Sequence, residues 1–298
     1  EKGYSAPFAT AVASSASTLA IVLPPSIPMI IYAVMAQTSI TQLFLAGFVP
    51  GLMGAILMMI VSFFFAKKYD FPVEEAFRLS RVWATLKDAS LALTLPIIIL
   101  GGIFGGFVTA TEAAGLAVVA SLIIGFIYNE LDWRRLQRAL IDGGVQTSSV
   151  MVLVAASALI GVFLTEQQVP QQLAQSIMDW TDNKYMVLLL LNVFFLIIGC
   201  FLHSAAAIIL VVPIVMPLVT LVGIDPIHFG LIVTLNLAVG QQTPPVASVL
   251  VTACSIGKAD VWAVTKANVW FIGVLLFVLL LMTYVPALPL APVEFFYR

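Results

Sequence analysis

Two proline pairs stand where an apolar helix would otherwise run on. The first lies in Ser14-Ser15-Ala16-Ser17-Thr18-Leu19-Ala20-Ile21-Val22-Leu23-Pro24-Pro25-Ser26. The second lies in Asn236-Leu237-Ala238-Val239-Gly240-Gln241-Gln242-Thr243-Pro244-Pro245-Val246. Proline has no N–H, and its ring clashes with the carbonyl four residues back. Pro24 and Pro25 therefore release the carbonyls of Ala20 and Ile21, and Pro244 and Pro245 release those of Gly240 and Gln241. In hydrocarbon each unsatisfied carbonyl costs several kcal/mol. A dehydrated Na⁺, a hard cation that prefers oxygen ligands, could satisfy them, and Thr243 adds a hydroxyl. Ala20 and Gly240 are small enough to let another segment approach closely. A kink healed by neighbouring side chains and water is the plainer alternative. Two matched double prolines with polar neighbours favour a site.

The elements that carry these breaks are membrane spans. Of 298 residues, 61% are hydrophobic and 9% charged, and the mean hydropathy is +1.10. Soluble domains carry roughly 25% charged residues, so a water-facing surface cannot be covered. Apolar stretches fall at about 8–36, 43–66, 90–106, 113–129, 145–164, 186–220, 227–257 and 268–286. Several exceed the ~18 residues that mark a span. Amphipathic stretches at 73–88 and 132–141 mix Arg and Lys with Trp, Phe and Leu, which suits helices lying in the interface plane or ordinary loop helices. Cys200 and Cys254 lie in apolar runs and read as small buried hydrophobes. Nothing in the pattern of basic residues suggests nucleic acid.

Orientation follows from Lys and Arg. One set of loops holds Lys2, Lys67, Lys68, Arg78, Arg81, Lys87, Arg134, Arg135, Arg138, Lys258 and Lys266, and the other side holds only Lys184 and Arg298. The richer side is predicted to be cytoplasmic. Segment 227–257 must then run inward, and 186–220 must enter and leave from outside as a re-entrant hairpin. Its expected tip is Gly199-Cys200-Phe201-Leu202-His203-Ser204. Such a turn is tolerated at membrane depth only inside protein or beside a watery cavity, and an ordinary pair of full crossings is the alternative. The first broken span runs outward and the second inward, so the pair has inverted topology. Discontinuous helices at matched positions of two inverted halves point to a transporter binding site.

Embedded charges that could relay protons are scarce. Acidic residues such as Glu112 and Asp225 sit at span ends, and only His203 lies deep. Coupling to Na⁺ through carbonyls and hydroxyls is favoured over H⁺. His203 reads equally as a substrate hydrogen-bond donor or as a structural link. A subunit of an energy-converting complex would need embedded Lys/Glu relays. An intramembrane hydrolase would need a nucleophile and base beyond the adjacent His203-Ser204. The chain is not expected to be an enzyme.

The segments Thr109-Ala110-Thr111-Glu112-Ala113-Ala114-Gly115, Pro213-Ile214-Val215-Met216-Pro217-Leu218, Gly223-Ile224-Asp225-Pro226-Ile227-His228-Phe229-Gly230, Gly240–Val246 and Leu23–Pro28 resemble, in combination, one family. It is the large membrane subunit of tripartite ATP-independent periplasmic (TRAP) transporters, and the resemblance covers essentially the whole chain. It implies an elevator-type Na⁺-coupled importer of organic acid anions such as C4-dicarboxylates or sialic acid. A periplasmic substrate-binding protein would deliver the carboxylate, and a small membrane subunit would brace the scaffold in the bacterial inner membrane. A related symporter for di- or tricarboxylates that needs no binding protein is the alternative.

Carried onto this chain, one Na⁺ site would use Ala20, Leu23 and Pro25 with a hairpin preceding Glu1. The other would use Gly199, Gly240, Thr243 and Val246. Candidate substrate contacts are Ser17, Ser26, His203, Ser204 and Gln242. Ala20 replaces the usual Gly, and His203 stands where many members have Asp. The expected fold is all-α, with inverted repeats, a re-entrant hairpin and two Pro-Pro-broken helices. Residues 1–42 and 186–257 would form the transport domain. Residues 43–89, 90–185 and 258–298 would supply the scaffold, arm and connecting helices. Because the matching first hairpin would fall before Glu1, the chain is expected to be the C-terminal part of a longer polypeptide.

Overall fold

The computed structural model describes residues 4–71 and 78–297. Residues 1–3, 72–77 and 298 lie outside them, and with these the start of the 73–88 stretch and the charges Lys2 and Arg298. The regular elements among the described residues are all α-helices. They begin with α1 (Ala6–Leu19), α2 (Ile27–Met35), α3 (Ile40–Lys68), α4 (Leu79–Asp88) and α5 (Ser90–Phe104). Next come α6 (Ala110–Ile127), α7 (Trp133–Glu166), α8 (Val169–Trp180), α9 (Lys184–Phe201) and α10 (Ser204–Leu221). The last are α11 (Pro226–Gly240), α12 (Ser248–Gly257), α13 (Val261–Tyr284) and α14 (Ala287–Tyr297). Among the described residues, α3, α6, α7, α9, α10 and α13 are each long and apolar enough to cross a membrane. The α4–α5 pair, bent by 69°, passes only when taken together. The chain is a polytopic all-helical membrane protein.

Short polar side chains set many helix starts. Asp225 accepts from the His228 amide at 2.9 Å and Asp260 from the Ala263 amide at 2.9 Å. The TATEAAG segment is a capping box: Glu112 Oε2 accepts from the Thr109 amide at 2.7 Å, and Thr109 Oγ1 accepts from the Glu112 amide at 3.3 Å. Its glutamate therefore has a local structural use at the start of α6.

Three elements differ from expectation. The 132–141 stretch is not a separate interfacial helix but the first turns of α7, which continues unbroken into the span. Gly143 and Gly144 cost only about 1 kcal/mol each in a helix interior, too little to end it without a proline. Helices α8 and α14 were not anticipated. The polar run Gln167-Gln168 and the three prolines of 286–292 masked them.

The described residues of 1–72 and 153–298 form one compact unit, and those of 73–152 form another. In the smaller unit, α5 packs on α6, and Tyr128 Oη donates to the Asp88 carbonyl at 2.9 Å. In the larger unit, α3 and α13 pack against the broken helices through small and polar faces.

Helix α11 is the axis of the larger unit. Every residue from Ile227 to Gly240 is buried, as an all-round apolar helix requires. The broken spans α1–α2 and α11–α12 run antiparallel to each other. Tyr32 Oη in α2 donates to the Pro226 carbonyl at 2.8 Å, at the start of α11. At the other end Thr10 in α1 meets Gly257, the last residue of α12. Advancing α1 and α2 by the 220-residue proline offset gives 226–239 and 247–255, beside observed helices at 226–240 and 248–257. Both Pro24-Pro25 and Pro244-Pro245 bonds are cis.

The α9–α10 hairpin turns at Leu202-His203. Each arm has 18 residues, about 27 Å at 1.5 Å per residue. Helix α9 runs parallel to α11, since Asn192 bonds Asn236 and Gly199 lies on Gly240. The tip thus sits at the level where the α11–α12 span breaks. A Cβ on Gly240 would stand 2.5 Å from the Gly199 carbonyl carbon, whereas one on Gly115 would meet open space. Gly240→Val should therefore lower stability by about 1–3 kcal/mol through overpacking, and Gly115→Ala should not. Thermal unfolding of the two variants in detergent checks this.

Candidate functional site

Each break is a seven-residue interruption, 20–26 between α1 and α2 and 241–247 between α11 and α12. Each begins by tightening to i→i−3 bonds: Ala20 N–H to Ser17 O at 3.2 Å and Ile21 N–H to Thr18 O at 3.1 Å. In the second, Gln242 N–H reaches Val239 O at 3.0 Å and Thr243 N–H reaches Gly240 O at 2.9 Å. This tightening alters the sequence expectation for the released carbonyls. Ile21 O accepts from Ser26 Oγ at 2.5 Å, Gly240 O from the Thr243 amide, and Gln241 O from the Val249 amide at 3.3 Å. Of the four, only Ala20 O accepts no hydrogen bond among the described residues. The captured oxygens keep a second lone pair each.

The second proposed ion set is partly assembled. Gly199 lies backbone-to-backbone on Gly240, in the last turn of α9, where helix carbonyls lack intrahelical donors. Thr243 Oγ1 donates to Val239 O at 3.0 Å, which leaves its own lone pairs available to a cation. Val246 is 46% exposed, and among the described residues no hydrogen bond joins it to the other three. In the first set, Ala20 and Pro25 are exposed, and Leu23 packs over Gly51 of α3. Gly47 of α3 faces the Val22 carbonyl, so α3 cradles this break through small residues. No group of three or more His, Cys, Asp or Glu is gathered among the described residues. A cation here would depend on carbonyl and hydroxyl oxygens, the donor set of a hard ion.

A buried polar network joins the breaks. Gln242 is fully buried. Its Oε1 accepts from Ser14 Oγ at 2.8 Å and from Asn268 Nδ2 at 2.8 Å. Its Nε2 donates to Ser14 O at 2.7 Å and to Thr18 Oγ1. Ser15 Oγ donates to Asn268 Oδ1 at 2.5 Å. One glutamine thus ties the second break to α1 and, through Asn268, to α13. A second chain runs from Asn236 to Asn192 at 2.6 Å and on to Thr283 at 3.2 Å, linking α11, α9 and α13.

The substrate candidates divide. Ser17 and His203 line one cavity of about 560 Å³, with Thr10, Ser248 and Thr252. Ser26, Ser204 and Gln242 are withdrawn from it. Ser26 caps α2, Ser204 is buried at the start of α10, and Gln242 has spent its hydrogen-bonding capacity inside the network. Thr10, Ser248 and Thr252 are the polar residues that sequence reasoning missed. Their signal was spacing: Thr10 precedes Ser17 by two turns, and Ser248 precedes Thr252 by one. His203 is exposed at the hairpin tip. The lining carries no formally charged side chain among the described residues, so an anion there would meet hydroxyls, the imidazole and the N-termini of α10 and α12.

Residues 1–288 match the family described as tripartite ATP-independent periplasmic transporter, DctM component. The isethionate TRAP transporter permease protein DctMQ of Oleidesulfovibrio alaskensis is 39% identical over 97% of this chain and 46% of its own length. The C4-dicarboxylate TRAP transporter large permease protein DctM of Pseudomonas aeruginosa is 35% identical over 97% of this chain and 68% of its own. The sialic acid TRAP transporter large permease protein SiaM of Vibrio cholerae is 34% identical over 98% and 69%. The chain thus spans from under half to about two thirds of the length of these relatives.

Removing the Gln242 amide strands several buried partners at once. Gln242→Leu should destabilise the protein by about 1–3 kcal/mol. Combined with Ser14→Ala, the loss should be less than additive because the two share bonds. Thermal unfolding of single and double variants measures both.

Proposed function

Because the chain belongs to the DctM component family of tripartite ATP-independent periplasmic transporters, we propose that it forms the translocating core of a Na⁺-coupled importer of organic acid anions. It is a multi-pass protein of the bacterial inner membrane. The observation that carries the reading is the meeting, at mid-span, of two antiparallel Pro-Pro breaks with the tip of the α9–α10 hairpin packed on one of them. Inverted repeats are supported by the 220-residue correspondence of the broken helices, and a re-entrant hairpin by the level of its tip.

In this reading Na⁺ enters as co-transported cargo, held at Gly199, Gly240, Thr243 and Val246 and at Ala20, Leu23 and Pro25. The open oxygens of Ala20, Gly199 and Thr243 support the assignment. The anion occupies the cavity between α1, α12 and the hairpin tip, with Ser17 and His203 as contacts. The relatives are named for isethionate, C4-dicarboxylate and sialic acid. A carboxylate or sulfonate of comparable size is the cargo class proposed here. A periplasmic binding protein delivers it, and a small membrane subunit braces the assembly. The broken helices and the hairpin move together in an elevator step against a scaffold that includes α3 and α13, and the Gln242 bonds that tie the second break to α1 support their moving as one.

Uptake by proteoliposomes, with the full transporter and its binding protein, tests this. An inward Na⁺ gradient should drive accumulation, and uptake that ignores the gradient contradicts the reading. Thr243→Ala should raise the Na⁺ concentration for half-maximal uptake roughly five- to tenfold, as expected for one lost ligand of about 1–1.5 kcal/mol. His203→Ala should instead raise the half-saturating anion concentration by a similar factor, with the Na⁺ dependence little changed.

A further inference from the structure

Where the start of α1 and the Lys68 end of α3 meet the first turns of α13, a cavity of about 1280 Å³ remains outside the transport pathway. It exceeds the roughly 300–1,000 Å³ of pockets built for small solutes. One wall is aromatic: Phe8 stacks on Phe65 at 5.5 Å, and Phe65 meets Trp270 edge-on at 6.3 Å. Trp270 is 64% exposed on that wall. The rim is charged. Lys68 closes α3 and Lys266 lies in the second turn of α13, and both border the cavity with one carboxylate, Asp70. Neither lysine makes an ion pair among the described residues. Among the described residues the charged lining therefore sums to one positive charge.

These features belong to a particular depth. Helix ends carrying lysines, with tyrosine and tryptophan beside them, mark the boundary between hydrocarbon and headgroups. A groove opening there is filled by lipid or by protein. An aromatic wall suits an acyl chain, and two cations on separate helices suit a phosphodiester. Basic pockets between membrane helices hold anionic headgroups in this way. A net positive rim favours a headgroup with net negative charge over a zwitterion, whose own ammonium would oppose the lysines.

We propose that this groove is a binding site for an anionic phospholipid, its phosphodiester between Lys68 and Lys266 and one acyl chain along the Phe8–Phe65–Trp270 wall. The lipid cements α1, α3 and α13 at the base of the broken helix, independently of which solute is carried.

Tryptophan quenching by brominated lipids tests it. Every other tryptophan of the full transporter, Trp83, Trp133, Trp180 and Trp262 of this chain among them, is replaced by Phe, leaving Trp270 as the single tryptophan. The protein is reconstituted with rising fractions of phosphatidylglycerol or phosphatidylethanolamine brominated on the acyl chains. Half-quenching should need roughly fivefold less phosphatidylglycerol, the size expected for one uncompensated lysine at the surface. Lys68→Gln/Lys266→Gln should abolish the preference and Lys68→Arg/Lys266→Arg should keep it, with gel-filtration profiles confirming intact protein. Equal quenching by the two lipids contradicts the proposal and leaves ordinary bilayer contact. No quenching by either also contradicts it, because protein then covers the wall.

Discussion

A peptide group in hydrocarbon must find a partner, and every unusual feature of this chain follows from breaking that rule twice. Helices satisfy their own backbones; the two double prolines interrupt that supply in the middle of a span. The chain recaptures most of what it releases. Ser26 caps Ile21, the Thr243 amide turns back to Gly240, and the Val249 amide reaches Gln241. Among the described residues what remains open is narrow: the Ala20 carbonyl, the end of α9 at Gly199 and the lone pairs of Thr243. The breaks are therefore not diffuse kinks but small clusters of oriented oxygens, each enclosed by a helix whose glycines permit close approach.

Enclosure by small residues also demands rigidity, and buried amides provide it. Gln242 bonds α1 on one side and Asn268 on the other, while Asn236, Asn192 and Thr283 repeat the arrangement nearer the start of α11. Helix α13 is joined to both networks, and His228 Nε2 lies 2.7 Å from its Met282 carbonyl. Individually such bonds are modest in a membrane. Together they tie the two breaks to each other: Gln242, next to Thr243, bonds Thr18, two residues from Ala20. For a coupled transporter, that is the property needed for ion and solute sites to move as a unit.

Much of this architecture was written in residue types. The proline pairs announced the breaks, their spacing announced the relation between them, and Gly199–Ser204 marked the turn that falls at Leu202-His203. What could not be read was partnership. Gln242 looked available to a substrate because a sequence shows a polar side chain but not what surrounds it, and here four bonds consume it. Thr10, Ser248 and Thr252 looked like ordinary hydroxyls because the cavity they line joins helices about 240 residues apart. The bond from Asn268 to Gln242 was hidden because Asn268 is one polar residue in a long apolar run. Helix α8 was missed because its apolar stripe is thin and its glutamines resemble a loop.

The central claim is that the oxygens at these breaks hold Na⁺. Equilibrium binding of radioactive Na⁺ to the purified transporter in detergent, with K⁺ as competitor, tests it without needing the solute or the binding protein. Saturable binding that excess K⁺ fails to displace, and that Thr243→Ala weakens, is the predicted result. Binding that never saturates, or that K⁺ removes as readily as Na⁺, would contradict the account.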